Sequence, residues 1–322
     1  LDSGLSISTE DAEDIFLLEL RHCRLKGLSG GRVDQILMEA DTVDGRVAWE
    51  TDYPNIRDCW FRGGAGRAIE LVGYPKGQSV RNRIEHYDTG IFIRFSEGYE
   101  LKDNIIGNCG TGIQLSHSTE SIISGNALRG CGVGVEVSQC NGVQFRNNSV
   151  LEATGLGTLF SNVGGAGGLI VDGNVIGRCG GGGISIEWPW PYEATVVQGN
   201  TLFDNGGSGV LVTQPDGYLF RVVRNIASGN AGWGLSAPSG TAMQLECNDW
   251  FGNLAGSVNG LSVGPSDLNV DPMFCDLEES DVRLNSASVL IDADGCGQIG
   301  ALGVGCGVTE TLVRQVSAAR VA

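Results

Sequence analysis

Residues 104–137, NIIGNCGTGIQLSHSTESIISGNALRGCGVGVEV, contain the pattern that decides the fold of this chain. An asparagine, any residue and an apolar residue are followed by a glycine and an apolar–any–apolar triplet, and the unit then repeats. Asn104 and Asn126 are 22 residues apart, as are Gly112 and Gly134. This period is too short for a pair of helices, and the alternation in GIQL and GVEV indicates strands with one buried side.

The same unit recurs along most of the chain. Neighbouring copies are 22 to 26 residues apart, and their asparagines are Asn82, Asn104, Asn126, Asn148, Asn174, Asn200, Asn225 and Asn248. The glycines keep the same rhythm at Gly90, Gly112, Gly134, Gly157, Gly183, Gly209 and Gly234. Two earlier segments, residues 18–25 and 56–71, are degenerate copies with Cys23 and Cys59 in the asparagine position.

We therefore predict an all-β fold, a right-handed single-stranded parallel β-helix of about ten coils, each with about three short strands. Stacked coils lie about 4.8 Å apart, so equivalent residues of successive coils form columns. One predicted inward column is Ile91, Ile113, Val135, Ile184 and Val210. The asparagines should form an amide ladder at one turn, where each side chain satisfies backbone groups and its neighbour.

The composition fits this architecture and excludes several functions. The 322 residues include 51 glycines without a collagen period, which indicates many tight turns between short strands. The net charge of −17 and the pI near 4.5 argue against nucleic acid as a partner, because binding to a phosphate backbone requires a basic surface. The sequence contains no apolar run of about 18 residues, so it predicts no transmembrane segment.

The repeat resembles the pectin-lyase-like superfamily of right-handed β-helices, in the general form found in many secreted bacterial proteins. The resemblance covers nearly the whole chain. It implies the fold and an exported protein. It implies no single activity, because this scaffold is used by lyases, hydrolases, epimerases, adhesins and phage tail proteins.

The C-terminal end follows a different pattern. Its elements DPMF (271–274), DVRL (281–284), SVLID (288–292) and IGA (299–301) resemble the closing segment of bacterial surface β-helix proteins of the choice-of-anchor Q type. That resemblance implies export to the cell surface and a further sorting or anchoring module.

The chain is predicted to have three parts. Residues 1–268 form the β-helix, residues 269–306 form a C-terminal cap, and residues 307–322 form a linker or the start of a further module. The cap would cover the apolar columns and the open strand edge of the last coil.

The ten cysteines indicate an oxidising compartment. No CxxC pair occurs and the chain has only three histidines, which disfavours a zinc site. Cys109, Cys131 and Cys179 share one column, and stacking as small buried side chains is the simpler interpretation for them. The predicted disulfides are Cys247 with Cys275 and Cys296 with Cys306.

Candidate catalytic residues lie on the outward side of the regular strands, where β-helix enzymes that resemble this chain hold a polysaccharide. The outward columns are Phe92, Gln114, Glu136, Leu159, Ser185 and Leu211, and beside them Arg94, Ser116, Ser138, Ser161, Glu187 and Thr213. The charged members Arg94, Glu136 and Glu187 are the catalytic candidates, since a lyase needs a base and a hydrolase needs paired carboxylates. Glu136 and Glu187 are two coils or about 10 Å apart, which is marginal for an inverting pair and leaves solvated surface residues as the simpler interpretation.

Candidate substrate-binding residues come from the loop EWPWPYE at 187–193 and from the end of a nearby strand. They are Trp188, Trp190, Tyr192 and His117. Aromatic rings held by prolines form a rigid platform of the kind that stacks on sugar faces, although the same rings could pack onto the neighbouring coil.

Two other polar clusters have simpler interpretations. His86 and Asp88 in IEHYDTG could form an acid/base pair, but a histidine hydrogen-bonded within a turn is simpler. The segment IDADG (291–295) has two aspartates at calcium-loop spacing without the remaining ligands. We predict no cofactor, with Ca²⁺ as the one ion left open.

Three functions remain from the sequence. The first is an exported bacterial β-helix that binds carbohydrate or another extended polymer at the cell surface. The second is a polysaccharide lyase or glycoside hydrolase acting on an acidic polysaccharide, with its site at Arg94, Glu136 and Glu187. The third is a structural stalk or filament subunit, which an exposed apolar amino-terminal coil would favour.

Overall fold

The computed structural model describes residues 55–73, 76–189, 195–213 and 219–307, and before residue 55 the backbone of short strands only. Within these residues the chain is a parallel β-helix without an α-helix, so the predicted fold class is confirmed. No described helix is long and apolar enough to cross a membrane. Each strand pairs in register with the equivalent strand of the next coil, which gives three parallel faces along the axis.

The first face carries the outward columns named above. Its strands are Ile36–Glu39, Arg67–Val72, Thr89–Arg94, Thr111–Ser116, Val133–Arg146, Thr158–Asp172, Ile184–Glu187, Val210–Thr213, Trp233–Ser236 and Gly256–Asn259. The strands Val133–Arg146 and Thr158–Asp172 continue into the second face without a break.

The other two faces complete each coil. The second face also contains Glu19–Arg21, Asn55–Arg57, Gly77–Val80, Tyr99–Lys102, Ile122–Ser124, Thr195–Gln198, Phe220–Val223 and Met243–Glu246. The third face contains Arg24–Lys26, Trp60–Arg62, Arg83–Glu85, Ile105–Gly107, Ala127–Arg129, Ser149–Leu151, Val175–Gly177, Thr201–Phe203 and Ile226–Ser228. A short hairpin joins Thr42–Val43 to Arg46–Val47.

The inward columns form the core, as predicted. One column consists of Ile91, Ile113, Val135, Ile184 and Val210, and the next consists of Ile93, Leu115, Val137, Phe160, Ile186 and Val212, all of them buried. The glycines that precede these strands allow neighbouring coils to approach closely. A Cβ atom on Gly134 would lie 2.4 Å from the carbonyl oxygen of Gly157, so no larger residue fits there without moving the backbone.

The coils turn at corners where the backbone is left-handed, with φ between 49° and 64° for the non-glycine residues. Glycine, asparagine and aspartate accept this conformation readily, whereas other side chains are strained by about 1–2 kcal/mol. The corner between the second and third faces contains Asp58, Arg81, Asp103, Gly125, Asn147, Gly173, Gly199, Arg224 and Cys247.

The predicted amide ladder follows this corner and is confirmed. Each asparagine Oδ1 from Asn104 to Asn248 accepts two hydrogen bonds of 2.9–3.0 Å, from the backbone N–H and the Nδ2 of the ladder asparagine one coil earlier. At the other end, Cys59 replaces asparagine as expected and donates its backbone N–H to Asn82 Oδ1. Cys23 lies outside the described residues.

The ladder ends on a carboxylate that the repeat did not reveal. Asp267 Oδ1 accepts from the backbone N–H and Nδ2 of Asn248, and its Oδ2 accepts from Trp250 Nε1 and the Gly264 N–H. An anion at this end complements the amides, because all of them point their donors towards it.

A second, shorter amide ladder lies at the corner between the third and first faces. Asn205, Asn230 and Asn253 repeat the same double hydrogen bond, at 2.8–3.1 Å. Earlier coils carry Cys109, Cys131 and Cys179 in this column, and all three thiols are buried as predicted.

The C-terminal segment packs along the side of the β-helix, on the outer side of the third face. Phe274 contacts Phe203 with ring centroids 6.4 Å apart, and Ala301 N donates to Thr201 Oγ1 at 3.0 Å. Arg178 donates to the carbonyl oxygens of Leu277 and Glu278, further back along the axis. The strands of this segment are Phe274–Asp276, Asp281–Asn285 and Val304–Cys306, with a 3₁₀ turn at Val289–Ile291.

The predicted disulfide partners are wrong, although the four cysteines are the expected ones. The bonds are Cys247–Cys296 and Cys275–Cys306. The segment folds back beside the third face, and this brings Cys296 to the last coils while Cys275 pairs within the segment. The remaining part of the chain, predicted as a linker, lies beyond residue 307 and outside the described residues.

A buried carboxyl group lies beneath this segment. Asp249 is 0% exposed, its Oδ1 accepts from the Val270 N–H at 2.9 Å, and its Oδ2 has no hydrogen-bond partner among the described residues. Burial raises the pKa of Asp249 to about 7, and the nearby charge of Asp271 adds to the rise.

We expect Asn126→Leu to lower the free energy of unfolding by about 1–3 kcal/mol, because the N–H groups of Asn104 lose their acceptor inside the protein. Chemical denaturation would measure the change. Gln144→Leu, on the half-exposed outer side of the second face, is the control and should change stability by less than about 0.5 kcal/mol. Equal effects at the two positions would contradict a structural role for the ladder.

We also expect Asp249 to make the protein less stable as the pH rises. The folded state holds its proton up to about pH 7, whereas an unfolded aspartate loses it near pH 3.9. The contribution is therefore fully present below pH 4 and is lost between about pH 4 and 7, by at most about 4 kcal/mol. Asp249→Asn should remove this dependence, so the stability difference between variant and wild type should grow with pH; a constant difference would contradict the assignment.

Candidate functional site

The outer side of the first face carries the predicted outward columns in the predicted register. Phe92, Gln114, Glu136, Leu159, Ser185 and Leu211 are partners in successive strands, as are Arg94, Ser116, Ser138, Ser161, Glu187 and Thr213. The surface is therefore a flat ribbon of regularly spaced groups, and each coil advances it by about 4.8 Å.

The structure does not gather the three catalytic candidates in one place. Arg94 and Glu136 are two coils apart, and Glu187 lies two coils further along the adjacent column. Each step of two coils is about 10 Å. Glu136 Oε2 accepts a hydrogen bond from Gln114 Nε2, one coil away, at 3.4 Å.

A third column lies at the edge of this ribbon, where each strand of the first face ends. Its members are Phe95, His117, Gln139, Asn162 and Trp188, all left-handed with φ between 49° and 54°. Phe95 is 50% exposed and Trp188 is 54% exposed. The two aromatic residues are four coils or about 19 Å apart, and polar side chains occupy the positions between them.

Phe95 and Trp188 both lower the stability of the protein when no ligand is bound. A bulky side chain in the left-handed region is a genuine outlier, and an exposed aromatic ring forgoes the stabilisation that burial would bring. Glycine would satisfy the backbone at either position, as Gly73 does in the same column one coil before Phe95. Strained residues of this kind cluster at ligand sites, where the surrounding structure holds them in place.

The Phe95 end of the column is ordered by direct contacts. The Arg94 guanidinium lies 4.4 Å from the centroid of the Phe95 ring, and the His117 ring packs against the same ring with centroids 5.0 Å apart. Ser116 Oγ lies 3.2 Å from His117 Nδ1, which fixes the imidazole orientation. This end of the column therefore combines a cation, an aromatic ring and an imidazole.

The aromatic residue on the ribbon itself is covered. Phe92 is buried, and the Arg67 guanidinium lies 3.5 Å from its ring centroid and pairs with Glu70. A ligand can therefore reach aromatic rings at the corner column but not at Phe92.

The other end of the column is formed by Trp188, the first residue of the predicted platform. Its indole is exposed, so it does not pack into the neighbouring coil, and Pro189 directly after it is buried. Trp190 and Tyr192 lie outside the described residues.

The remaining polar clusters are part of turns. Asp88 Oδ2 accepts from the backbone N–H of Gly66 at 2.7 Å, and His86 is an exposed corner residue with φ of 64°. Asp292 ends the 3₁₀ turn, and Ala293 pairs with Gly297 across the IDADG segment. No group of three or more His, Cys, Asp or Glu side chains that could hold a metal ion occurs among the described residues.

Sequence reasoning named His117 and Trp188 as candidates but did not name Phe95. Phe95 lies one period before His117, at the same distance beyond its strand, so counting along the column would have identified it. Its left-handed backbone and its exposure, which single it out, are visible only in the structure.

A family model described as "NosD: Periplasmic copper-binding protein (NosD)" matches residues 45–260. No curated protein matches the chain.

Among solved structures, the catalytic domain of a GH87 alpha-1,3-glucanase in complex with nigerose shares 15% identity, with a TM-score of 0.42, over 77% of this chain and 58% of that domain. A variant of such a domain, also with nigerose, shares 14% identity with the same TM-score over 84% of this chain and 62% of that one. A further variant, in complex with tetrasaccharides, shares 12% identity with a TM-score of 0.39. The chain spans about three fifths of the length of these domains.

We expect Trp188→Gly to be more stable than Trp188→Ala by about 1 kcal/mol, because only glycine removes the strain of the left-handed backbone. Chemical denaturation of the two variants would measure the difference. The same pair of substitutions at Leu211, on a regular strand of the first face, should give the opposite order. An alanine variant at least as stable as the glycine variant would contradict strain at Trp188.

Proposed function

We propose a function on the premise that this chain belongs to the NosD family, whose description is that of periplasmic copper-binding proteins. The two disulfides also indicate a location outside the cytoplasm, since such bonds persist in oxidising compartments. The family description supports a periplasmic location. Display at the cell surface through a further anchoring module is a separate proposal, which rests on the C-terminal resemblance alone.

The proposed function is the binding of a carbohydrate or a similar extended polymer along the outer side of the first face. The observation that carries this proposal is the pair of exposed, strained aromatic residues, Phe95 and Trp188, at the two ends of one column. Aromatic rings with an accessible face are suited to stacking on the apolar faces of sugar rings.

The groups between the two aromatic residues suit a polar polymer. His117, Gln139 and Asn162 occupy the corner, and the adjacent ribbon column offers the hydroxyl groups of Ser138 and Ser161. These side chains donate and accept hydrogen bonds, which is what a chain of sugar hydroxyl groups requires. Because they repeat once per coil, they match a ligand that is itself extended and repetitive.

A preformed surface also lowers the entropic cost of binding. The aromatic and polar side chains are attached to strands whose backbones are fixed by neighbouring coils on both sides. A ligand therefore orders few protein groups when it binds.

Catalysis by the same face is the alternative. The backbones of Glu136 and Glu187 are two coils or about 10 Å apart along the axis, and retaining and inverting hydrolases place their carboxyl groups about 5–9.5 Å apart. The spacing is therefore marginal for an inverting pair, which leaves binding as the leading hypothesis. The stalk hypothesis depends on the amino-terminal coil, whose side chains lie outside the described residues.

The description of the family names copper. The described residues offer no set of three or more ligands, so a copper site of ordinary nitrogen and oxygen donors has no counterpart in them. The thiols of Cys109, Cys131, Cys140 and Cys179 are buried in the core, where burial disfavours the charged thiolate that would bind copper.

We expect Phe95→Ala and Trp188→Ala each to weaken the binding of an oligosaccharide long enough to span both rings by about 1–2 kcal/mol. A glycan array would identify the ligand, and titration calorimetry would measure the affinity. Ile105→Ala, which removes an apolar side chain that is 56% exposed on the third face, is the matched control and should leave binding unchanged. Equal loss of affinity in the control, or no glycan bound by the wild type, would contradict the proposal.

The bound polymers should remain intact. We expect incubation with them to release no reducing ends and to produce no ultraviolet absorbance from unsaturated uronates. New reducing ends that disappear in Glu136→Gln would identify a hydrolase, and unsaturation that disappears in Arg94→Ala would identify a lyase.

A further inference from the structure

The two ends of the candidate face carry charges of opposite sign. Each coil between these ends contributes two adjacent residues, one on the ribbon and one at the corner. In chain order the pairs are Arg94–Phe95, Ser116–His117, Ser138–Gln139, Ser161–Asn162 and Glu187–Trp188. Each exposed aromatic ring therefore has a charged side chain as its neighbour, a cation at the first end and a carboxylate at the second.

Arg94 presents a cation that a ligand can reach. Its side chain is exposed, and its guanidinium lies 4.4 Å from the centroid of the Phe95 ring. Arg94 forms no salt bridge with a carboxylate of the described residues, whereas Arg67 on the same face pairs with Glu70. Guanidinium N–H groups bind a carboxylate through two parallel hydrogen bonds, so this end suits a sugar that carries a carboxylate.

The Trp188 end has the opposite preference. Glu187 is half-buried beside the exposed indole, and it forms no salt bridge within the described part of the chain. Glu136 lies two coils earlier on the neighbouring column. A carboxylate accepts hydrogen bonds from hydroxyl or amino groups and repels a second anion. This end therefore suits a sugar without an anionic group.

The two charges act on separate parts of a ligand. Arg94 and Glu187 are four coils or about 19 Å apart along the axis. Salt screens exposed charges over about 8 Å at physiological ionic strength, so neither charge neutralises the other. The serines between them offer hydroxyl groups, which bind sugars of either charge.

We propose that the first face binds a polymer of mixed charge in one direction, with a carboxylate-bearing sugar on Phe95 and a sugar without an anionic group on Trp188. This inference rests on the proposed function and adds the charge pattern and the orientation of the ligand. A uniform polyuronate would bring further carboxylates to Glu136 and Glu187, and the net charge of −17 would add to the repulsion. A neutral polymer would leave Arg94 without an anion.

A glycan array tests the charge pattern. It would hold oligosaccharides of several linkages and equal length in three classes, which are uronate homopolymers such as oligogalacturonate, neutral glycans, and glycans that combine uronates with neutral or amino sugars. The wild type should bind members of the third class most tightly. Tightest binding of a uronate homopolymer or a neutral glycan would overturn this inference and leave the proposed function standing, whereas binding of no glycan would overturn both.

The role of Arg94 is tested with one glycan in two forms, the carboxylated form and the form in which its carboxyl groups are reduced to alcohols. By calorimetry, Arg94→Gln should bind the carboxylated form about three- to fivefold more weakly and the reduced form unchanged. Arg94→Lys keeps the charge and should bind both forms nearly as the wild type does. Arg221→Gln, which removes an exposed arginine from the second face, is the matched control and should change neither affinity.

Equal weakening of both forms by Arg94→Gln would overturn the assignment, because it would mean that Arg94 only holds the Phe95 ring in place. A Tm measurement on each variant checks that it is folded.

Charge reversal at the other end tests the direction through a gain of binding. Glu187→Arg replaces the repelling carboxylate with a cation, so it should bind oligogalacturonate about three- to fivefold more tightly than the wild type does. Misfolding cannot produce such a gain. Unchanged or weaker binding of oligogalacturonate by Glu187→Arg would overturn the proposed orientation.

Discussion

The axial chain of amide hydrogen bonds from Asn82 to Asp267 is the interaction on which the rest of this structure depends. From Asn104 to Asn248 each coil repeats one geometry, in which an asparagine oxygen accepts from both the backbone and the side chain of the coil before it. This fixes the distance between coils and their rotation about the axis together. Once both are fixed, each later position in the coil falls into a column, and the inward, outward and corner columns follow from the alternation of the strands.

The ladder also explains which parts of the fold could be predicted. A hydrogen bond that repeats once per coil leaves a fixed period in the sequence, so the fold class, the inward columns and the outward register were all accessible from it. Asp267 could not be predicted in this way. It takes the place of an asparagine in the ladder, but it is an aspartate and follows Asn248 by only 19 positions, so it breaks both the residue type and the period. The disulfide partners were not accessible either. They depend on the direction in which the C-terminal segment turns, and residues that follow a repeat carry no periodic signal of their direction.

The candidate site also has features that the period predicts and features that it does not. The period alone places Arg94, Glu136 and Glu187 in their columns, and it gives the two-coil separation of Glu136 and Glu187. It could not show that Phe92 is covered by Arg67 while Phe95 is exposed, because covering depends on side-chain contacts between coils. Nor could it show the left-handed backbone at Trp188, which is set by the corner and not by the residue. The residues that indicate a binding site are thus Phe95 and Trp188, where the corner imposes a left-handed backbone that suits glycine and the side chain is a bulky aromatic ring.

Because the backbone geometry of a column is the same in every described coil, one column can hold different types of side chain in different coils. Behind the corner between the third and first faces, Asn205 and Asn230 continue a hydrogen-bonded ladder, whereas Cys109 and Cys131 fill the same positions with thiols. The backbone hydrogen bonds between coils are equivalent in both stretches, since Gly132 N donates to Cys109 O at 2.8 Å and Ala231 N donates to Asn205 O at 2.8 Å. A thiol gives up the amide's hydrogen bonds at such a position, so two of them in succession cannot be explained by the needs of the ladder. Packing alone is satisfied by a small side chain, as Ala153 shows in the next coil, so the buried thiols fill these positions as small apolar groups and leave the spacing of the coils unchanged.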